Sequence, residues 1–229
     1  MRISVDDIQS QVAAVTDQDE TTSNISSTDY SLRLKYINMA LREWAETWNW
    51  QTLFAEYNTL TSTSTGNASI ALPREFRKLA GYPKITYDGS DTKEFPEVLP
   101  QEDGQYEDTD RRIWILGNPN SGYVMRVFGE TLVSGASIKV PYFTSVGSLV
   151  SPANIAEIPN PDYLVQKTIA HIWEAREDAR FPQAKAEAER ILRNMIETEE
   201  TFNVASVHGR VRTFEETRFN DFRWGKDGV

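Results

Sequence analysis

Six large apolar side chains, Tyr30, Leu34, Ile37, Leu41, Trp44 and Trp48, recur at intervals of 4, 3, 4, 3 and 4 residues. That spacing lines them up on one face of an α-helix, and so wide an apolar stripe must be covered by something. Nothing adjacent in the chain can cover it. Upstream, residues 16–29 (TDQDETTSNISSTD) are polar and aperiodic, and read as a connector. Downstream of Trp50 the pattern changes to short runs rich in Thr, Val, Ile, Tyr and Phe, separated by turn clusters such as Ser64-Thr65-Gly66-Asn67 and the stretch from Gly117 to Gly122, which is strand chemistry. Helical periodicity returns only at Leu164, Val165, Ile169, Ile172, Trp173 and Arg176. After an interruption at Phe181-Pro182 it resumes with Ala184, Ala188, Ile191, Leu192, Met195 and Ile196. Two stripes, each without a local partner, predict an α+β fold in which N- and C-terminal helices form one helical bundle around an inserted antiparallel β-rich domain.

The expected organisation is a discontinuous helical bundle domain of residues 1–50 and 151–203, an inserted β-rich domain of residues 51–150, and a C-terminal docking arm, 204–229. A further short helix opens the chain, with Ser4 as N-cap, Asp7 three residues on, and Val5, Ile8, Val12 and Val15 at helical spacing. The long helix that follows finds its cap in Ser27, Thr28 or Asp29. Strands are expected near 52–62, 68–72, 79–87, 112–116, 122–128 and 136–143. A helical turn is expected after Pro73, a loop with a short helix over 94–110, and a proline-rich hinge over 151–161.

Composition removes several chemistries. The 229 residues include no cysteine, so disulfides, thiolate metal sites and cysteine nucleophiles are excluded. His171 and His208 are the two histidines, with no His-x-x-x-His pair to seat a metal; His171 adjoins the buried stripe and is expected to be structural. Neither a Gly-x-Ser-x-Gly elbow nor a glycine-rich phosphate loop is present, and no cofactor is expected. No apolar run is long enough to cross a bilayer, and Met1–Ser10 carries two carboxylates where a signal peptide needs an apolar stretch. A soluble, unprocessed chain with no membrane partner is expected.

A net charge of −10 argues against tight duplex binding, which draws on Lys and Arg neutralising phosphates. The excess is local: Asp88, Asp91, Glu94, Glu97, Glu102, Asp103, Glu107, Asp108 and Asp110 stand against Lys93 alone, a balance of −8. Such a stretch reads as a solvated loop, or as a surface that repels nucleic acid or meets a basic partner. The C-terminal stretch interleaves Arg212, Phe214, Arg218, Phe219, Phe222 and Trp224. Disordered tails avoid aromatics, whereas Arg, Trp and Phe are enriched at interface cores, so this stretch reads either as an arm docking on another subunit or as a segment packed on its own domain.

The order of features carries a resemblance. Ile37-Asn38-Met39-Ala40-Leu41-Arg42-Glu43-Trp44-Ala45 runs into Trp48-Asn49-Trp50, a Leu72-Pro73-Arg74-Glu75-Phe76-Arg77 turn follows, and Val140-Pro141-Tyr142-Phe143 and Ile158-Pro159 lead into the last helices. This resembles the head-to-tail adaptor (connector) proteins of tailed bacteriophages. The resemblance implies a non-enzymatic virion protein of the neck, assembled in the host cytoplasm. It would form a ring of usually twelve copies, with the phage portal protein and tail or neck proteins as partners and double-stranded DNA passing through without sequence-specific binding. The arm, with Arg212, Phe214, Arg218, Phe219, Phe222 and Trp224, would then dock on the portal, and the acidic residues Asp88, Asp91, Glu102, Asp103, Glu107, Asp108 and Asp110 would line the channel or face a partner. Two other readings stay open: a soluble ligand-binding module presenting Tyr87, Tyr106, Tyr123 and Tyr142 to a sugar or peptide, and a hydrolase built on paired carboxylates.

Overall fold

The computed structural model describes residues 2–16, 26–60, 68–87, 91–129, 132 and 134–207, with the backbone alone for Tyr87, Asp103 and 201–207. In chain order the elements are β1 (Arg2–Ser4), α1 (Val5–Thr16), α2 (Ser27–Thr47), β2 (Phe54–Leu60), β3 (Ser69–Ala71), β4 (Phe76–Leu79), β5 (Lys84–Tyr87), β6 (Asp91–Glu94), β7 (Arg112–Asn118), β8 (Gly122–Phe128), β9 (Ser137–Thr144), β10 (Ile155–Glu157), α3 (Asp162–Ala175) and α4 (Phe181–Val207). The fold is α+β, with helices from both ends of the chain packed together and antiparallel sheets inserted between them.

Helix α3 is the hub. It packs on α1, α2 and α4, so its apolar surface is covered on several sides and Leu164 and Ile169 lose all contact with solvent. Val5, Ile8 and Val12 of α1, Ile37, Leu41 and Trp44 of α2, and Ala184, Ala188, Ile191 and Met195 of α4 share one core with it. At roughly 1.5–3 kcal/mol for each fully buried large side chain, this shared burial is what holds the two ends of the chain together. Arg176 falls outside the stripe, exposed just past the end of α3. The reversal into α4 is fixed by Asp178, which accepts from the Arg180 backbone and guanidinium, and by Arg180 lying 4.4 Å over the Trp173 ring.

Ser4 caps α1 as expected, its hydroxyl accepting from the Asp7 amide. Helix α2 starts one residue earlier than expected: Ser26 is the cap, because its hydroxyl is the one placed to accept the Asp29 amide while also donating to the Asp29 carboxylate. Residues 17–25 of the connector lie outside the described residues. The α2 stripe is broader than its apolar positions suggest, since Arg33, Asn38, Ala40 and Ala45 are buried too. Strands β1 and β10 pair Arg2 with Glu157 and Ser4 with Ile155; three-residue strands have no readable period, and neither was expected.

The inserted sheets are β2-β9-β5-β6, with β4 also on β9, and β3-β8-β7. They face each other across Phe76, Ile85, Phe95, Ile113, Met125, Ile138 and Val140. The single strand expected over 79–87 is instead two, β4 and β5, which pair successive stretches of β9. Pro141 sits where the partner changes: its carbonyl accepts from Ala80 in the connecting turn, so its missing donor also points at that gap and breaks no ladder bond. The helical turn expected after Pro73 is only a turn at Arg74-Glu75, and Phe76 then enters β4, because Phe76 fills the β core and Lys78 and Leu79 pair with β9.

Buried Asn38 joins the helices to the chain leaving the sheets: its amide donates to the Leu149 carbonyl at 2.9 Å and its carbonyl accepts the Leu149 amide at 2.8 Å. Asn38→Ala would strand both backbone groups in a dry site, and is expected to destabilise the protein by about 3 kcal/mol in urea titration; a loss under about 1 kcal/mol would show that the pair is not buried in solution.

Candidate docking surfaces

The Leu72-Pro73-Arg74-Glu75-Phe76-Arg77 turn makes the joint between insertion and bundle. A helix leaves its last carbonyls without intrahelical donors. Arg77 reaches from β4 to the end of α2 and donates to the carbonyls of Ala45 and Trp48, while the Trp50 indole donates to the Trp44 carbonyl. A cation at a helix C-terminus also opposes the negative end of the helix dipole. Burial lowers the Arg77 pKa, with Glu46 offsetting part of the effect. The Phe143 ring lies 5.9 Å from the Arg77 guanidinium and 5.8 Å from the Lys78 ammonium.

Beside this joint, Glu46, Arg74, Phe76, Pro119, Tyr123 and Val146 border a groove of about 640 Å³. Glu75, an exposed residue of its lining, accepts from the Tyr142 hydroxyl through its carboxylate and from Ser145 through its carbonyl. The Arg74, Arg77 and Lys78 side chains make no ion pair with a carboxylate among the described residues.

The acidic stretch is pinned rather than loose. Phe95 and Val98 drop into the core, and the Val98 amide and the Ile113 amide tie it to the start of β7. Arg112, 4% exposed, donates to the carbonyls of Glu107 and Asp110 and lies against Tyr106 and Phe128. Gly129 has φ +81°, and a Cβ there would lie 2.1 Å from the Asp110 carbonyl oxygen, so only glycine permits that approach. Residues 100–105 form a 3₁₀ turn, the short helix expected in this loop. Asp91, Glu102, Glu107, Asp108 and Asp110 are exposed; Asp88 lies outside the described residues, as does the side chain of Asp103. Asp91 pairs with Lys93. Sequence reasoning did not single out Arg77 as a helix cap or Arg112 as a clamp; the signal was present in each case as an arginine next to strand-forming apolar residues.

Of the four tyrosines expected to line a ligand site, Tyr142 and Tyr123 come together on Phe76, stacked and edge-on respectively, Tyr106 belongs to the acidic stretch at the far end of β7, and the side chain of Tyr87 lies outside the described residues. Among the described residues no cluster of three His, Asp or Glu is placed to hold a metal ion, and no helix is long and apolar enough to cross a membrane. His171 is 12% exposed, stacked on Tyr36 and 3.3 Å from the Glu43 carboxylate, which also pairs with Lys167 at 2.7 Å.

Over residues 3–212 the chain matches the family described as SU10 adaptor protein. It belongs to that family. The SU10 adaptor proteins are a phage head-tail adaptor family, so the adaptor is a structural protein that joins other virion components. No curated protein matches the adaptor. The family match takes in both helical ends and the whole insertion, and stops inside the C-terminal arm. Of the six arm residues, Arg212 alone lies within the matched range, and all six lie outside the described residues.

Two outcomes follow from this geometry. Arg77→Ala leaves the α2 carbonyls uncapped, and is expected to cost about 2 kcal/mol and to speed hydrogen exchange over residues 45–50 and 76–79 together; faster exchange at one end alone would contradict the joint. Burial, only partly offset by Glu43, lowers the His171 pKa. The unfolded chain therefore takes up the proton first, and this contribution to stability, full above about pH 6.5, is lost as pH falls through the folded pKa. His171→Gln is expected to flatten that acid-side decline in urea titrations from pH 7.5 to 5.5, and an unchanged slope would contradict the assignment.

Proposed function

We propose that the adaptor binds the portal ring and forms part of the DNA channel joining capsid to tail, as a ring of copies in the virion neck, assembled in the host cytoplasm. The observation that carries this reading is the family match across both helical ends and the insertion. The physical properties agree with it. A chain of net charge −10, with exposed carboxylates on a pinned loop, offers passing duplex repulsion rather than counterion-releasing contacts. A ring uses two different faces of each subunit, which meet and close by rotation.

In this reading Arg212, Phe214, Arg218, Phe219, Phe222 and Trp224 dock on the portal, and Asp88, Asp91, Glu102, Asp103, Glu107, Asp108 and Asp110 either line the channel or meet a basic partner. Twelve copies is the ring size in keeping with the resemblance. Since α4 runs to Val207, truncation after that residue spares the helix. Deleting residues 208–229 is expected to leave a folded adaptor, by circular dichroism, that no longer decorates purified portal rings in electron micrographs. Decoration at the wild-type level by the truncated chain would refute the docking assignment.

A further inference from the structure

We propose that a trough along the free edge of β10 receives residues 209–214 of the same chain's C-terminal arm as a third strand, and that docking on the portal withdraws them. The inference rests on the portal reading above and adds where the arm lies before the portal is met. Two adjoining hollows of about 480 and 410 Å³ share Thr52 and Glu157 and form the trough. Helix α4 lines the first through Met195, Thr198 and Glu199, and β10 lines the second through Ile155, Ala156 and Glu157. Among the described residues β10 pairs with β1 alone. Because Val5 donates to the Asn154 carbonyl, the antiparallel alternation turns the N–H and C=O groups of Ala156 toward β1 and those of Ile155 and Glu157 away from it. The outward-turned backbone groups have no hydrogen-bond partner among the described residues. Two strands of three residues make a marginal sheet, and an extended segment laid on the exposed edge supplies the missing hydrogen bonds and further burial.

Reach, charge and side-chain chemistry select the chain's own arm as the occupant. Helix α4 ends at Val207, roughly 12 Å beyond Glu199, and residues 208–229 follow, enough chain to span roughly 70 Å when extended. A tethered segment meets the trough at an effective concentration in the millimolar range, which a second copy or another protein reaches only when concentrated. Of the charges in the lining, Arg2 and Glu157 pair with each other at 2.9 Å, and Glu199 remains. Glu197 and Glu200 stand in the same turn of α4, no cation follows Arg193 in that helix, and its C-terminus is the negative end of the helix dipole. The arm begins with the opposite sign, Arg210 and Arg212, and has no carboxylate before Glu215. Val211, Thr213 and Phe214 are strand-forming residue types, and Ile155, 50% exposed on the edge, gives them apolar surface to cover. Arg212 and Phe214 also belong to the set assigned to the portal, so trough and portal compete for the same residues.

The test is hydrogen exchange on the full-length chain, alone and on portal rings. Alone, the Ile155 and Glu157 amides are expected to exchange at least tenfold more slowly than in the full-length variant Val211→Pro with Arg212→Pro, whose adjacent prolines interrupt pairing in either register, and to do so at every chain concentration. Equal rates in the two chains would overturn the proposal. So would protection that appears only at high concentration, which would place a second copy's arm in the trough. On portal rings the same two amides are expected to exchange as fast as in the free proline variant, and protection that persists there would overturn the withdrawal. Ile155→Lys, which sets a cation on the edge opposite Arg210 and Arg212, is expected to leave circular dichroism unchanged and to lower the concentration needed to decorate portals at least threefold; an unchanged concentration would contradict the competition. If the wild-type chain decorates no portal, the portal role fails, while the exchange comparison on the free chain still decides the trough contact.

Discussion

The helical core depends on the surface of one fourteen-residue helix, α3, which packs on its neighbour α4 and supplies the burial that the N-terminal helices cannot find near themselves. The α2 stripe ends at residues 47–50, and the helix that covers it begins more than a hundred residues later. Closing so long a connection costs little more than closing a short one, since loop-closure entropy grows only with the logarithm of length. The insertion therefore folds as a long excursion whose ends are brought together by helix packing, and its own core of Phe95, Ile113, Met125 and Ile138 fills the space between its sheets.

What makes the excursion a usable part of the adaptor is that its ends are fastened, not merely tethered. Arg77 ties the entering strand to the last turn of α2, and Asn38 ties the leaving segment to the middle of the same helix. Both fasteners satisfy backbone groups that would otherwise be buried without partners, so each would be expensive to lose. They hold the groove at the joint, and the β7–β8 hairpin that carries the acidic stretch, in one fixed relation to the bundle.

Much of this was legible in the residues, and the parts that were not share a cause. The 4, 3, 4, 3, 4 spacing of the α2 stripe and the glycine- and asparagine-rich turn before β8 located a helix and a hairpin, because periodicity and turn chemistry are local. Strands β1 and β10 were invisible, since each is three residues long and exists only because the other is there. The expected 79–87 strand split because β9 could serve two partners around Pro141, a tertiary fact with no local trace. The same holds for the surfaces. The acidic excess could be counted, but not the clamp by Arg112; the Leu-Pro-x-x-Phe-Arg turn could be recognised, but not that its arginine caps a helix some thirty residues earlier. Charge composition is additive along a chain, and side-chain contacts are not.

If the two ends of the chain do form one core around α3, then α1, α2, α3 and the first half of α4 must open as a unit. Native-state hydrogen exchange in rising denaturant reads this directly, because elements that share a core merge onto one isotherm. Slowly exchanging amides of Ile37 to Ala45 and of Val165 to Ile172 are expected to converge on a single opening free energy equal to that of global unfolding. Separate isotherms, with the N-terminal helices opening while α3 and α4 stay protected, would contradict the account at its base.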